Sequence, residues 1–272
     1  MPVKLASYKR AFSMVTHPHR LPNFIIAGAP RSATTWLYVL ATRHPEIAMA
    51  KPMRPEPKFF LVDRLYQRGL DYYAGNWFDA LPKDRILGEK SANYLESRLV
   101  ANRIYQKLPQ VKLIFLLRNP VDRAYSNYLW SCRNGLENET FERALELEDQ
   151  RERTVSPEWK FARPHANFSR GLYANHLARF FRLFPREQIL VLRMEDVIVR
   201  PKDVALRFQR FLGVALMPEL ADGIGIINAS MPEGGAPPLT SDLRAALQQW
   251  YREPNRRLAA LLGPDFVGWE ED

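Results

Sequence analysis

The stretch NFIIAGAPRSATTWLYVLATR, residues 23–43, decides the fold. Residues 23–27 (NFIIA) are an apolar run without alternation, which suits a strand buried on both faces. Residues 34–43 (TTWLYVLATR) have helical spacing, and His44-Pro45 ends them, because a residue before proline avoids the helical region. The loop Gly28-Ala29-Pro30-Arg31-Ser32-Ala33 joins the two. A strand-to-helix loop gathers backbone N–H groups and the positive end of a helix dipole, so it receives anions. Small side chains at Ala29, Ser32 and Ala33 let the backbone approach a phosphate. Thr34 and Thr35 add hydroxyl donors, and Arg31 adds charge. An ordinary strand–helix turn with a capping hydroxyl would use the same residues.

The pattern repeats downstream. Residues 111–117 (VKLIFLL) form the strongest strand signal and end at Arg118. Asn119 caps the next helix, with Pro120 at its first position, and that helix is expected to run to about Trp130. Residues 122, 123 and 126 lie on neighbouring faces of it, so Ser126 turns back toward the strand end. Arg118 and Ser126 then make a second anion site at the carboxyl edge of the sheet, where α/β proteins bind ligands. An ion pair between Arg118 and Asp122 is the alternative. Further strands are expected at 85–88 and 188–192. Helices are expected at 97–107, 172–184, 204–212 and 240–262, with a solvated, mixed-charge helix at 139–153. Alternating strands and helices predict an α/β fold: a P-loop-like central parallel sheet with helices on both faces, in a single domain. That domain spans 21–269, after an N-terminal extension of 1–20.

The chain has 272 residues, 46% of them hydrophobic, enough for one substantial core. Its formal net charge is +9, which favours anionic partners. The charge is spread without long like-charge runs, which argues against a nucleic-acid-binding tail. A single cysteine, Cys132, rules out an internal disulfide and points to a reducing, cytoplasmic setting. No apolar run is long enough to span a bilayer, and no leader-like segment opens the chain. The histidines form no pair, and no metal-ligand spacing occurs, so no metal is expected.

The first loop differs from the nucleoside-triphosphate P-loop G-x-x-x-x-G-K-[ST]. Ala33 stands at the second glycine and Thr34 at the lysine, and the strand at 111–117 ends in Arg118 rather than a metal-holding aspartate. A small-molecule kinase needs those groups. Two anion sites at separate strand tips suit a nucleotide phosphorylated at both 3′ and 5′ positions. A non-catalytic polyanion-binding module is the other alternative.

These segments resemble the sulfotransferases that use 3′-phosphoadenosine-5′-phosphosulfate (PAPS), in particular the branch with the heparan sulfate 3-O- and N-sulfotransferases and bacterial relatives. GAPRSATTWL resembles the 5′-phosphosulfate loop, and LIFLLRNPVDRAYSNY the 3′-phosphate strand and helix. KPMRPEPKFF resembles K-E-x-x-F-F, and GEKSANYL resembles E-K-[ST]-P-x-Y. Residues 169–197 and 252–263 resemble family segments in the C-terminal half. The resemblance implies sulfuryl transfer from PAPS to a carbohydrate or small-metabolite acceptor. It implies that Arg31 contacts the transferring group, that Pro30, Ser32, Ala33, Thr34, Thr35 and Trp36 bind the 5′ side, and that Arg118 and Ser126 bind the 3′-phosphate. Glu56 matches the general base, Lys90 an assisting lysine and Lys58 an acceptor-site histidine; Tyr173, in Arg170-Gly-Leu-Tyr173, either approaches the nucleotide or packs in the core. Arg31 replaces the heparan branch's lysine. Leu61 stands where the 3-O enzymes have an acidic acceptor contact, and the disulfide-bounded basic loop of that branch is replaced by residues 222–240. The last two departures bear on the acceptor and leave the donor site intact.

Overall fold

A computed structural model describes residues 20–225 and 239–269. The N-terminal extension and most of the Gly/Pro-rich loop expected at 222–240 lie outside the described residues. The strands are β1 (Phe24–Gly28), β2 (Ile47–Met49), β3 (Ile86–Lys90), β4 (Lys112–Leu117) and β5 (Ile189–Arg193). They form one parallel sheet in the order β2-β3-β1-β4-β5. The helices are α1 (Thr34–Arg43), α2 (Asp63–Tyr66), α3 (Gly69–Trp77), α4 (Val100–Lys107), α5 (Pro120–Arg133), α6 (Phe141–Glu146), α7 (Glu148–Thr154), α8 (Tyr173–Leu183), α9 (Met194–Val199), α10 (Pro201–Leu212) and α11 (Ser241–Leu262).

Side chains alternate across each strand. Phe24 and Ile26 of β1 join Ile114 and Leu116 of β4 under α1 and α10, against Trp36, Leu37, Val204 and Phe208. Ile25 and Ala27 join Leu113, Phe115 and Leu117 on the other face, under Ile104 of α4, Leu177 and Phe180 of α8, and Leu258 of α11. Both faces are therefore covered, which is why β1 and β4 are nearly continuous apolar runs. A third cluster, with Val121, Tyr128, Phe141, Leu247 and Tyr251, ties α5 and α6 to α11.

The expected strands and long helices appear within a few residues of their predicted bounds, and four elements were not read from the sequence. Three-residue β2 is too short to show a period. The sequence of α3, GLDYYAGNW, is rich in poor helix formers, and packing of Tyr73 holds it. α2 and α9 are short helices of four and six residues. The helix expected at 139–153 is two helices meeting at Leu147. Its charged face is solvated at Glu142, Arg143, Glu146, Asp149 and Arg153, but the Glu148 carboxylate is buried and accepts the N–H groups of Phe168 (2.6 Å) and Ser169 (2.9 Å). α4 starts at Val100 rather than 97, because a 3-10 turn, Ala92–Glu96, precedes it.

Candidate donor and acceptor site

Strand β1 delivers the first loop. β1 and β4 shift register between Ile26 and Gly28. Gly28 has a positive φ of 156°, and a Cβ there would lie 2.7 Å from Leu95 Cβ and 3.0 Å from the Ala92 carbonyl oxygen. Only glycine lets the strand end pass that close. Arg31 (φ 67°) and Ala33 (φ 60°) are left-handed, the kind of turn that directs successive N–H groups to one side. Ala33 offers α1 no side-chain cap, and no acidic residue stands in its first turn. The first N–H groups of α1 therefore remain for a ligand. Ser32 Oγ is fully buried without a hydrogen-bond partner, and the Tyr173 hydroxyl beside it donates instead to the Arg118 carbonyl (2.9 Å). A buried hydroxyl in that state fits a phosphate or sulfate oxygen.

The second motif meets the first directly. Asn119 Oδ1 accepts the N–H groups of Val121 (3.0 Å) and Asp122 (3.4 Å), which fixes the start of α5 just past Arg118. Arg118 Nη1 donates to the Arg31 carbonyl at 3.5 Å, and Arg31 Nε donates to Ser126 Oγ at 3.3 Å. Asp122 instead pairs with Arg244 (2.8 Å), so Arg118 keeps its face toward the loop. Burial, then Arg118, Arg133, Arg170 and Arg54, push the Arg31 guanidinium down to about 10. Burial also lowers Arg118, against the opposing pull of Asp122, Tyr173 and Glu195. Crowded, desolvated guanidinium groups of this kind favour an anion between them.

The third part lies past β3. Lys90 Nζ donates to Glu56 Oε1 and the Ala92 N–H to Glu56 Oε2 (3.2 Å). Lys90 is 4% exposed and Glu56 15%. The loop carrying Glu56 is pinned from below: Phe59 stacks on Tyr73 at 4.4 Å, and the Phe60 N–H donates to Tyr94 Oη (3.2 Å). Lys58 is left-handed (φ 50°), and its N–H donates to Ser91 Oγ (2.9 Å).

Residues 21–225 match the sulfotransferase domain family. The chain is 30% identical to human heparan sulfate glucosamine 3-O-sulfotransferase 6, over 92% of this chain and 74% of that protein. It is 29% identical to mouse bifunctional heparan sulfate N-deacetylase/N-sulfotransferase 3, over 89% of this chain, but spans only 30% of that protein's length. A sulfotransferase structure from Alicyclobacillus acidocaldarius superposes with a TM-score of 0.72, at 29% identity, over 91% of this chain and 98% of that one. The chain belongs to the sulfotransferase family.

In this sulfotransferase, Arg31, Ser32, Arg118, Ser126 and Tyr173 come together at the ends of β1 and β4, and Glu56, Lys58 and Lys90 gather beside β3. Trp36 is 3% exposed, and its Nε1 donates to the Ile224 carbonyl (3.2 Å). Thr34 and Thr35 are buried in the first turn of α1. Glu89 was missed by the sequence reading. It is fully buried, and burial pushes its carboxyl up to about 8, against the Tyr73 and Tyr94 hydroxyls and with the help of Glu56. Its sequence signals are its place at the first position of the E-K-[ST]-P-x-Y resemblance and a carboxylate beside Lys90 at the end of strand β3. A cavity of about 800 Å³ borders Asn119 and Val121 and runs along α11 to Trp269, without touching Arg31 or Glu56. Among the described residues, no group of three or more His, Cys, Asp or Glu is placed to hold a metal ion. Among them, too, no helix is long and apolar enough to cross a membrane.

Proposed function

We propose that this sulfotransferase transfers a sulfuryl group from PAPS to a hydroxyl of a carbohydrate or small metabolite, with Glu56 as general base. The observation that carries the reading is the Arg31–Ser126 hydrogen bond, which unites two basic pockets through residues 95 apart in sequence. The orphaned Ser32 hydroxyl, the uncapped start of α1 and the depressed arginines all fit a doubly phosphorylated nucleotide. Bound PAPS supplies an activated sulfuryl group on its 5′-phosphate. Arg31, Ser32 and the loop amides hold the 5′ side and stabilise charge on the leaving oxygen. Pro30, Ala33, Thr34, Thr35 and Trp36 shape that pocket. Arg118 and Ser126 hold the 3′-phosphate, and Tyr173 fixes the Arg118 backbone. Glu56 accepts the acceptor's proton, positioned by Lys90 and the Ala92 amide. Lys58 faces the acceptor side.

The carbohydrate preference draws on the heparan sulfate relatives, one an O- and one an N-sulfotransferase. We place the functional domain at 21–269, since α11 closes two of the three core clusters, and we place the protein in the cytoplasm, on its single cysteine.

Calorimetry tests the donor assignment: adenosine 3′,5′-bisphosphate should bind without magnesium, and Mg-ATP should not compete. Tight binding of Mg-ATP alone would mean a kinase. Labelled sulfate transfer to an acceptor panel tests catalysis, and binding without any turnover would mean a polyanion module. Glu56→Gln should keep bisphosphate binding and lose about 10²- to 10⁴-fold in turnover, the range for a general base. Near-normal turnover would remove Glu56 from that role.

A further inference from the structure

The start of α4 and the outer face of α8 enclose a cavity of about 280 Å³, lined by Arg98, Asn102, Asn175, Arg179 and Arg182, with small alanines between them. We propose that this cavity is a second anion site, taking a sugar unit that bears a sulfate or phosphate ester. The inference does not depend on the transfer chemistry at Glu56.

The helix period builds it. Asn175, Ala178, Arg179 and Arg182 recur on one face of α8, while Ala174, Leu177 and Phe180 bury the other. Arg179 and Arg182 stand three apart, a like-charge pairing that costs an isolated helix stability. Arg98, just ahead of α4, adds a third guanidinium on the facing wall. No aspartate or glutamate lines the cavity. Among the described residues, Arg98 and Arg182 make no ion pair or side-chain hydrogen bond. Arg179 is held in place, because its Nη1 donates to the Glu96 carbonyl (3.1 Å). Burial, and then the charges of Arg98, Arg163 and Arg182, lower the Arg179 pKa. α4 adds to this positive field, since its first turn holds no acidic residue and no side chain caps it.

Three guanidinium forks without a carboxylate match an oxyanion. The volume lies just under the roughly 300 Å³ where sites for drug-sized ligands begin, which suits one sugar ring with its ester. The Asn102 and Asn175 amides supply both donors and acceptors for ring hydroxyls. The site is separate from the donor cleft. Glu96 stands between them, with its carbonyl toward Arg179 and its carboxylate toward buried Arg170 and Arg163.

The test is calorimetry on the full chain with its donor site saturated by adenosine 3′,5′-bisphosphate. The probes are a sulfated heparin disaccharide, its desulfated form, glucose 6-phosphate and inorganic sulfate. The sulfated disaccharide and the sugar phosphate should each bind one to one, and the desulfated form should not. The double variant Arg98→Ala/Arg182→Ala removes exposed side chains and should weaken both at least tenfold, leaving bisphosphate affinity unchanged. Arg182→Glu alone should do the same. Unchanged affinity in these variants would overturn the proposal and send the sugar to the cleft beside Glu56. Inorganic sulfate binding as tightly as the disaccharide would overturn the sugar assignment.

Discussion

Arg31 touches both halves of the donor site: its carbonyl receives Arg118 and its Nε reaches Ser126. Removing it takes away charge and the link between the halves together. Arg31→Ala should lower turnover by roughly 10²- to 10³-fold, the cost of losing one charge-stabilising donor, in a labelled-transfer assay. Arg31→Lys keeps the charge but loses the Nε geometry, so it should raise KM for PAPS more than it lowers kcat. Arg118→Ala should weaken bisphosphate binding by calorimetry while turnover at saturating donor changes less. Equal losses in binding and kcat would place Arg118 at the reacting atoms. Arg31, Arg118 and Ser126 were legible in the sequence because each sits at a fixed offset from a strand end. The arginines that crowd Arg31, namely Arg133, Arg170 and Arg54, were not, because they arrive from the end of α5, a 3-10 turn and a loop. Glu56 and Lys90 carried no local signal of their pairing, since only the closeness of the loop and β3 brings them together.

At the scale of elements, β1, β4, α1 and α5 could be read because period, length and turn chemistry agree in each. β2 and α3 could not, because tertiary packing overrides weak local preference there. The charged run around Glu148 misled for a related reason: a carboxylate at helical spacing reads as solvated until backbone amides from another segment close on it. The end of β1 shows how tightly one element constrains the next. Gly28→Ala would push a methyl into Leu95 and the Ala92 carbonyl and so move the turn after β3. It should cost about 1–3 kcal/mol, as overpacking does, read from denaturant midpoints. It should also lower kcat, since the same shift moves the Ala92 amide that holds Glu56.

For the molecule as a whole, two buried groups set how stability follows pH between about 4.5 and 8. Glu89, pushed up from 4.5 to about 8, binds its proton more tightly folded than unfolded. Its contribution is complete below the ordinary carboxylate value and is lost as pH rises toward about 8. His176, lowered by burial from 6.5 to about 4, binds its proton less tightly when folded. Its contribution is present above 6.5 and is lost as pH falls toward 4. The two slopes oppose each other between 4.5 and 6.5, and only Glu89 acts above that. Stability should therefore fall by roughly 1.4 kcal/mol per pH unit between about 6.5 and 8. Glu89→Gln should flatten that limb in urea titrations, and an unchanged slope would show that Glu89 is already ionised at neutral pH.

The pairing of β1 with β4 has a kinetic consequence as well. The residues it brings together, such as Ile26 and Ile114, are far apart along the chain, and closures of that span are slow to form. Until this ladder zips up, Arg31 has no Ser126 to meet. A refolding chain should thus acquire helix signal first and affinity for adenosine 3′,5′-bisphosphate last, which makes the nucleotide a reporter of completed folding rather than a template for it.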